Sequence, residues 1–385
     1  MNEYRKNENI LFGTGKKIVI VVTNDLFTDN RVHKVANSLH SFGFEIQLIG
    51  IKKPKIEYKD KFKTSRFSLF FKKGILFYAE YNIRLFFKLF FVKYNVILSN
   101  DLDTLLASYL SAKLHLKQIV YDSHELFTEV PELANRKFKQ RVWFSLQSCV
   151  LSKIQYSYTV CKSLARLYSS MYKINMRVVR NIPIENIQTN NYEMPENDKR
   201  KIILYQGALN VGRGLEHLID SMKFADENFV LYIAGTGDLE KELRNRVKEA
   251  KLENKIVFTG RLPYPTLLGL TSKAFIGLSI EENTGKNYYY ALPNKLFDYI
   301  RCGVPVLCSE FPEMSAIIKK YEIGTFIKNH KPEHIAEKLN SILQNKSQYE
   351  VWKKNLISAS GDLKWEKEEQ VLKEIFFEFC EKLKQ

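Results

Sequence analysis

The chain has 385 residues, 45% apolar and 26% charged, a globular composition long enough for two domains and unlike a disordered, collagenous or coiled-coil chain. Lys and Arg number 59 against 43 Asp and Glu, a formal charge of +16. Residues 1–190 hold 30 basic and 15 acidic side chains, residues 191–385 hold 29 and 28, so an anionic partner is to be sought on the N-terminal half.

The first fifteen residues mix charges through any apolar core and do not read as a signal peptide. KKIVIVV (16–22) reads as a buried strand, followed by a helical pattern from Thr28 to Phe42 and a second strand, FEIQLIG (44–50). Residues 52–93 then hold twelve Lys/Arg against three Asp/Glu, with nine Phe interleaved. The longest apolar stretch, Gly74 to Val92, carries Glu80, Arg84 and Lys88 as a narrow polar stripe, which a membrane span does not tolerate. Most of this helix is expected to be buried, in the core or among lipid headgroups. The cationic loop from Lys52 to Lys73, with RKFKQR at 136–141, favours an anionic membrane surface, because clustered cations attract anionic lipid at roughly 1 kcal/mol each. Nucleic acid is not an expected partner, since stacking aromatics are usually scattered on sheets.

NVILS (95–99), KQIVY (117–121) and YSYTV (156–160) continue the strand series, with helical stretches between them. Residues 181–200 are polar, rich in Asn and Pro and without periodicity, and read as a linker. The pattern restarts at KIILYQG (201–207), FVLYIAG (229–235), KIVFTG (255–260), AFIGLS (274–279), VPVLC (304–308) and GTFI (324–327), and closes on an amphipathic helix from Glu366 to Leu383. Strands alternating with helices predict α/β architecture with two doubly wound parallel sheets. Strand carboxyl ends facing an interdomain cleft are where such folds bind ligands. The expected domains are residues 1–183, joined by the C-terminal helix 366–385, and residues 184–365. Five cysteines without a CxxC read as free thiols in a reducing cytoplasm.

Two segments carry candidate chemistry. In YQGALNVGRGLEHLID (205–220), Gly207 lets the backbone approach a ligand, and Arg213 beside a helix start suits a diphosphate. A tight turn with a solvated Arg is the alternative. In YYYALPNKLFDYIRCGVPVL (288–307), Pro293 opens a helix on which Asn294, Lys295 and Asp298 share the N-terminal face. An anion beside Lys295 and a carboxylate one turn deeper fit a nucleotide diphosphate and its ribose hydroxyls; a surface Lys295–Asp298 ion pair is the alternative. His124, after KQIVY and flanked by Asp122 and Glu125, is either a charged structural group or a hydrogen-bond donor to a sugar. Asp101-Leu102-Asp103 spells D-x-D but opens a helix, where Asp101 is expected as an N-cap rather than a metal ligand. Ala234-Gly235-Thr236-Gly237 reads as a strand-to-helix turn rather than a dinucleotide fingerprint.

The order and spacing of VVTND…DNRVHKVANSL, VYDSHE, the glycine–Arg213 loop, IVFTGRLP and PNKLFDYIRCGVPV over nearly the whole chain resemble the family 4 retaining glycosyltransferases of the two-Rossmann-domain (GT-B) type. The resemblance implies an enzyme that moves a sugar from a nucleotide-diphosphate donor to a glycan or lipid-linked acceptor with retention. No metal or other cofactor is implied, and attachment to the inner membrane face is. It assigns the donor diphosphate to Arg213, the ribose to Asp298, the base to Arg261 and Leu262, and a contact near the reacting sugar carbon to His124. The family's first E-x7-E carboxylate falls on Tyr290, so the hexose-contacting acid is expected from Glu281 or Glu282, with Glu282 preferred. The alternatives are a GT-B scaffold without catalysis in a glycan-assembly complex, and a sugar-nucleotide epimerase.

Overall fold

The computed structural model describes residues 11–26, 29–52, 60–130, 133, 136–184, 189–194 and 198–382. The first ten residues and part of the Lys52–Lys73 stretch, 53–59, lie outside them. The chain divides into two compact units, one running to Asn181 and resuming at Glu368, the other Ile182–Lys367.

The first unit is built on β1 (Lys17–Asp25), β2 (Glu45–Ile51), β3 (Lys63–Phe67), β4 (Val96–Asn100), β5 (Gln118–Ser123), β6 (Tyr156–Thr159) and β7 (Met176–Val178). They pair in parallel in the order β3-β2-β1-β4-β5-β6-β7. Its helices are α1 (Asn30–Ser41), α2 (Gly74–Phe91), α3 (Leu102–Leu114), α4 (Lys137–Leu151) and α5 (Lys162–Tyr172). The central strands carry side chains closed to water on both faces, such as Ile18, Val19, Ile20 and Val21 of β1, which is why they read as unbroken apolar runs. β3 was not expected: KTSRF lacks that signature because it is an edge strand, with none of its residues fully buried.

Helix α2 departs from expectation. Only Tyr81, Leu85 and Leu89 on it are buried, one stripe at i, i+4 and i+8, with Tyr81 Oη donating to the Val22 carbonyl. Ile75, Leu76, Ile83, Phe87, Phe90 and Phe91 are open to solvent. No described helix is long and apolar enough to cross a membrane.

The second unit holds β8 (Lys201–Gln206), β9 (Phe229–Ala234), β10 (Ile256–Gly260), β11 (Ile276–Ser279), β12 (Val306–Ser309) and β13 (Gly324–Ile327), parallel in the order β10-β9-β8-β11-β12-β13. Its helices are α6 (Leu215–Ser221), α7 (Glu240–Glu249), α8 (Tyr264–Thr271), α9 (Lys286–Tyr289), α10 (Asn294–Arg301), α11 (Pro312–Tyr321), α12 (Pro332–Gln344) and α13 (Lys346–Asp362). Ile203 and Tyr205 of β8 and Leu231 and Ile233 of β9 pack in one core with Leu215 and Leu218 of α6, Leu243 of α7 and Leu339 of α12. Each buried Leu or Ile of this kind contributes roughly 1.5–3 kcal/mol.

The last helix, α14 (Trp365–Lys382), returns to the first unit. Leu372, Phe376 and Phe379 are buried on one face, with the Phe376 ring 5.9 Å from Phe44 and that of Phe379 6.2 Å from Tyr156. Glu368 anchors the turn by accepting hydrogen bonds from the Arg180 backbone N–H at 2.7 Å and from Arg180 Nε at 2.8 Å.

Glycine sets how closely β8 and β9 end. Gly235 adopts φ +150°, and a Cβ there would lie 1.8 Å from the Gly207 carbonyl oxygen. Gly235→Ala is therefore expected to destabilise the second unit by about 2–5 kcal/mol. Gly361→Ala, within α13 and with nothing within 4 Å, is expected to stabilise by about 0.5–1 kcal/mol. Urea unfolding of both variants checks this, and equal shifts would contradict it.

Candidate functional site

In the second unit the strand order reverses between β8 and β11, the place where open parallel sheets take ligands beyond their carboxyl ends. The loop leaving β8 and the loop leaving β11 are tied together there. The Glu282 backbone N–H donates to the Gly212 carbonyl at 2.9 Å, and Tyr288 Oη donates to the Val211 carbonyl at 2.9 Å. Gly214 has φ +72°, and a Cβ on it would meet the Ile280 carbonyl at 2.3 Å.

This clasp holds Arg213 with its guanidinium 4.9 Å from the Tyr288 ring centroid and Nη1 3.5 Å from Glu281 Oε1. Lys295, in the first turn of α10, brings Nζ to 2.8 Å from the same oxygen and 4.1 Å from the Tyr205 ring. Ser279 Oγ donates to Glu281 Oε2 at 2.9 Å. Glu281 is wholly buried. Burial alone would raise its carboxyl pKa, but Lys295 and then Arg213 hold it below the ordinary value. Burial opposes charge on Arg213 too, yet Glu281 keeps its pKa above the usual one. Burial wins at Lys295, whose ammonium is held below the ordinary lysine value despite Glu281. Two cations around one carboxylate leave this contact with one net positive charge. Arg213 Nε is also buried without a hydrogen-bond partner among the described residues. Such a group suits an incoming anion with several oxygens.

Asp298 sits one turn further along α10, and it is not paired with Lys295. Its Oδ2 accepts from Gln206 Nε2 at 2.8 Å and its Oδ1 from Tyr264 Oη at 2.7 Å, while Thr271 Oγ1 donates to Gln206 Oε1 at 2.8 Å. This chain of hydrogen bonds joins β8, α8 and α10. Asn294 is exposed at the start of α10, Arg261 is exposed after β10, and Leu262 is half-buried beside it. Glu282 is drawn elsewhere: its carboxylate lies 3.9 Å from His217, and Glu281 is the acid that meets Arg213 and Lys295. Tyr290 ends α9 with its ring 5.1 Å from Tyr289. The alternative of a surface pair between Lys295 and Asp298 is not what forms: both groups are buried and have separate partners.

The first unit has its own charged cluster. His124 follows β5, with Nδ1 3.2 Å from Asp101 Oδ2 and Nε2 3.3 Å from Asp122 Oδ2. Arg31 of α1 grips Asp122 in a fork, Nε to Oδ2 at 3.0 Å and Nη2 to Oδ1 at 2.7 Å, and donates from Nη1 to the Val179 carbonyl at 3.0 Å. Burial would raise the Asp122 carboxyl, but Arg31 and His124 bring it down to about 2. Burial would lower the His124 imidazolium, but Asp101 and Asp122 lift it to about 9. Asp101 precedes α3 as expected, with φ +57°, yet makes no side-chain cap; its Oδ1 accepts the His124 backbone N–H at 2.8 Å instead. Asp103 accepts from Thr23 Oγ1, and burial, with Asp101 nearby, pushes its carboxyl up to about 7. Among the described residues no group of three His, Cys, Asp or Glu side chains could hold a metal ion.

Comparison with known proteins agrees with this architecture. Residues 186–358 match the family model of the glycosyl transferases group 1. Sucrose-phosphate synthase from Thermosynechococcus elongatus superposes with a TM-score of 0.75 at 15% identity, over 94% of this chain and 99% of that one. Anabaena HepE in complex with UDP-glucose superposes with a TM-score of 0.70 at 13% identity, again over 94% and 99%. The chain therefore has the GT-B fold. The group 1 family model lies within the second unit and covers under half of the chain. By sequence, the chitobiosyldiphosphodolichol beta-mannosyltransferase of Yarrowia lipolytica is 27% identical over 139 residues, 34% of this chain. The match spans 29% of that protein, under a third of its length.

Sequence reasoning named Glu281 and Glu282 and preferred Glu282, whereas Glu281 is the acid that meets both cations, because two adjacent glutamates after a strand carry no signal for which one turns inward. It missed Arg31, for which there was a signal. Arg31 lies four residues before Val35 on the buried face of α1, where a cation implies a buried acid.

The His124 pKa carries a pH dependence. A group protonated more readily in the folded state stabilises fully below its unfolded pKa, near 6.5, and loses that contribution as pH rises towards about 9. His124→Gln is therefore expected to be less stable than wild type by about 2–3 kcal/mol at pH 6, with the gap closing towards pH 9.5. Denaturant unfolding across that range checks it, and a constant gap would contradict it.

Proposed function

We propose that the chain transfers a sugar, with retention of configuration, from a nucleotide-diphosphate donor to a glycan or lipid-linked acceptor. The observation that carries this reading is the buried Glu281 contact, which presents Arg213 and Lys295 together at the switch point of the unit that the group 1 family model matches. When the bond between sugar and diphosphate breaks, negative charge grows on the departing phosphate oxygens. Two preorganised cations stabilise that charge without reorganising. They fill the role that a divalent metal takes in other transferases, so the reaction is proposed to proceed without one.

The remaining residues take supporting roles. Asp298 accepts the ribose hydroxyls, steadied by Gln206 and Tyr264. Arg261 and Leu262 frame the base, and Gly207 admits the donor close to the backbone. The exposed Asn294 side chain at the start of α10 adds a donor for phosphate. His124, held protonated by Asp101 and Asp122, donates a hydrogen bond to an oxygen of the transferred sugar. In the hexose-contacting role expected of Glu282, we place Glu281 on its contact with both cations. The known relatives support the substrate classes: the Yarrowia protein is named as acting on a dolichol-linked glycan, and HepE is described in complex with UDP-glucose. The acceptor is met at the cytoplasmic face of a membrane to which the protein attaches peripherally.

Titration calorimetry with UDP, GDP, ADP and CMP tests the donor site. One nucleoside diphosphate is expected to bind in the micromolar range. Arg213→Ala should weaken it by at least about tenfold, the loss of one charge-assisted hydrogen bond of roughly 1.5–3 kcal/mol, in a protein that remains folded with Lys295 and Ser279 still on Glu281. No binding by a folded protein would favour a scaffold, and sugar-nucleotide conversion without acceptor would favour an epimerase.

A further inference from the structure

The apolar residues of α2 fall on two opposite faces. Tyr81, Leu85 and Leu89 turn to the sheet, while Leu76, Ile83, Phe87 and Phe90 recur at i, i+7, i+11 and i+14 on the far side and stay in solvent. Phe91, at the helix end, is 80% exposed. A second apolar projection stands beside the helix start. Phe70 is 83% exposed, yet its loop is ordered: the Glu80 carboxylate accepts the Phe70 and Phe71 backbone N–H groups at 2.9 and 3.0 Å, and Arg84, paired with Glu80 at 2.8 Å, lies 5.3 Å from the Phe70 ring. Satisfying these amides holds the phenylalanines outward. On α4, Phe138 and Val142 are exposed at i and i+4, the first inside the basic run 136–141 and the second next to it.

Cations frame these side chains. Lys72 and Lys73 flank the Phe70 loop, and RKFKQR at 136–141 has no acid. At the carboxyl end of α2 an open cavity of about 740 Å³ is lined by Phe90 and Phe91 together with Lys93, His115 and Lys117, and by Lys17, whose Nζ is paired at 3.0 Å with the Glu45 carboxylate that also lines it. Exposed aromatics set among cations are complementary to one occupant, a bilayer interface bearing anionic headgroups. A protein partner would not require this charge.

We infer that the open face of α2, the Phe70–Phe71 loop and the start of α4 form an anionic-bilayer docking surface, and that the cavity beside Phe90 and Phe91 receives a phospholipid headgroup phosphate. The helix lies along the interface, since its opposite stripe is packed on the sheet. The inference names the surface for the peripheral attachment proposed above and rests on that reading.

Co-flotation of the full chain with vesicles of phosphatidylcholine, alone or with 30 mol% phosphatidylglycerol (about one lipid in three, a strongly anionic surface), tests it. The account expects binding to the anionic vesicles at least tenfold above the neutral ones, falling at least tenfold in Phe87→Ser/Phe91→Ser and in Lys93→Glu/Lys117→Glu. Each variant's melting temperature and its calorimetric affinity for the nucleoside diphosphate should match wild type. Equal binding to both vesicle types, or variants that bind like wild type, would overturn the inference. So would a wild-type dimer on gel filtration that Phe87→Ser/Phe91→Ser splits, which would make a second copy the occupant. Free inorganic phosphate that competes the protein off vesicles at millimolar concentration would reduce the cavity to an ion site and overturn the headgroup assignment. Nucleotide binding is read separately, so failure here leaves the transferase reading standing, and absence of nucleotide binding leaves this one.

Discussion

A carboxylate taken wholly out of water is costly unless cations and hydrogen bonds replace its hydration, and Glu281 meets that demand with Arg213, Lys295 and Ser279. The second unit's local design follows from this contact. Arg213 reaches it only because the loop after β8 is clasped to the loop after β11, with Gly214 lying against the Ile280 carbonyl. Lys295 reaches it only because α10 begins where Pro293 places it. Neither cation is satisfied by one shared carboxylate, and the surplus charge is what a diphosphate would neutralise.

The first unit uses the opposite arrangement, one imidazolium between two acids. Asp122 is the fixed member, forked by Arg31 from α1 and closed to water. Asp101 completes the pair from beyond β4, taking up a left-handed backbone to do so. Such strain persists where surroundings over-determine it, and here the His124 backbone and ring both bind the same side chain. His124 is thereby kept as a charged donor across the neutral pH range.

The parallel sheets were legible because strands buried on both faces leave unbroken apolar runs: FVLYIAG at 229–235 contains the whole of β9, which is buried at every residue. Edge strands β3 and β7 lack such runs and went unread. Helix α2 shows the limit of periodicity. Its all-round apolarity implied burial, but packing on one sheet covers only the Tyr81–Leu85–Leu89 stripe. Arg213, Lys295 and Asp298 were legible from glycine and proline punctuation around them. Their partners were not, because Glu281, Gln206 and Tyr264 are brought in from other strands and helices. Asp101 of the D-x-D likewise reads as a helix start in sequence and binds His124 in space, while Asp103 accepts from Thr23.

The most direct test of the Glu281 account compares binding of the preferred nucleoside diphosphate with that of its monophosphate, in wild type and in Glu281→Gln. If the buried carboxylate aligns Arg213 and Lys295 on the second phosphate, wild type prefers the diphosphate by at least about tenfold, or roughly 1.4 kcal/mol, and the variant loses that preference. An undiminished preference in a folded Glu281→Gln protein would show that the cations act without the carboxylate, contrary to the arrangement described.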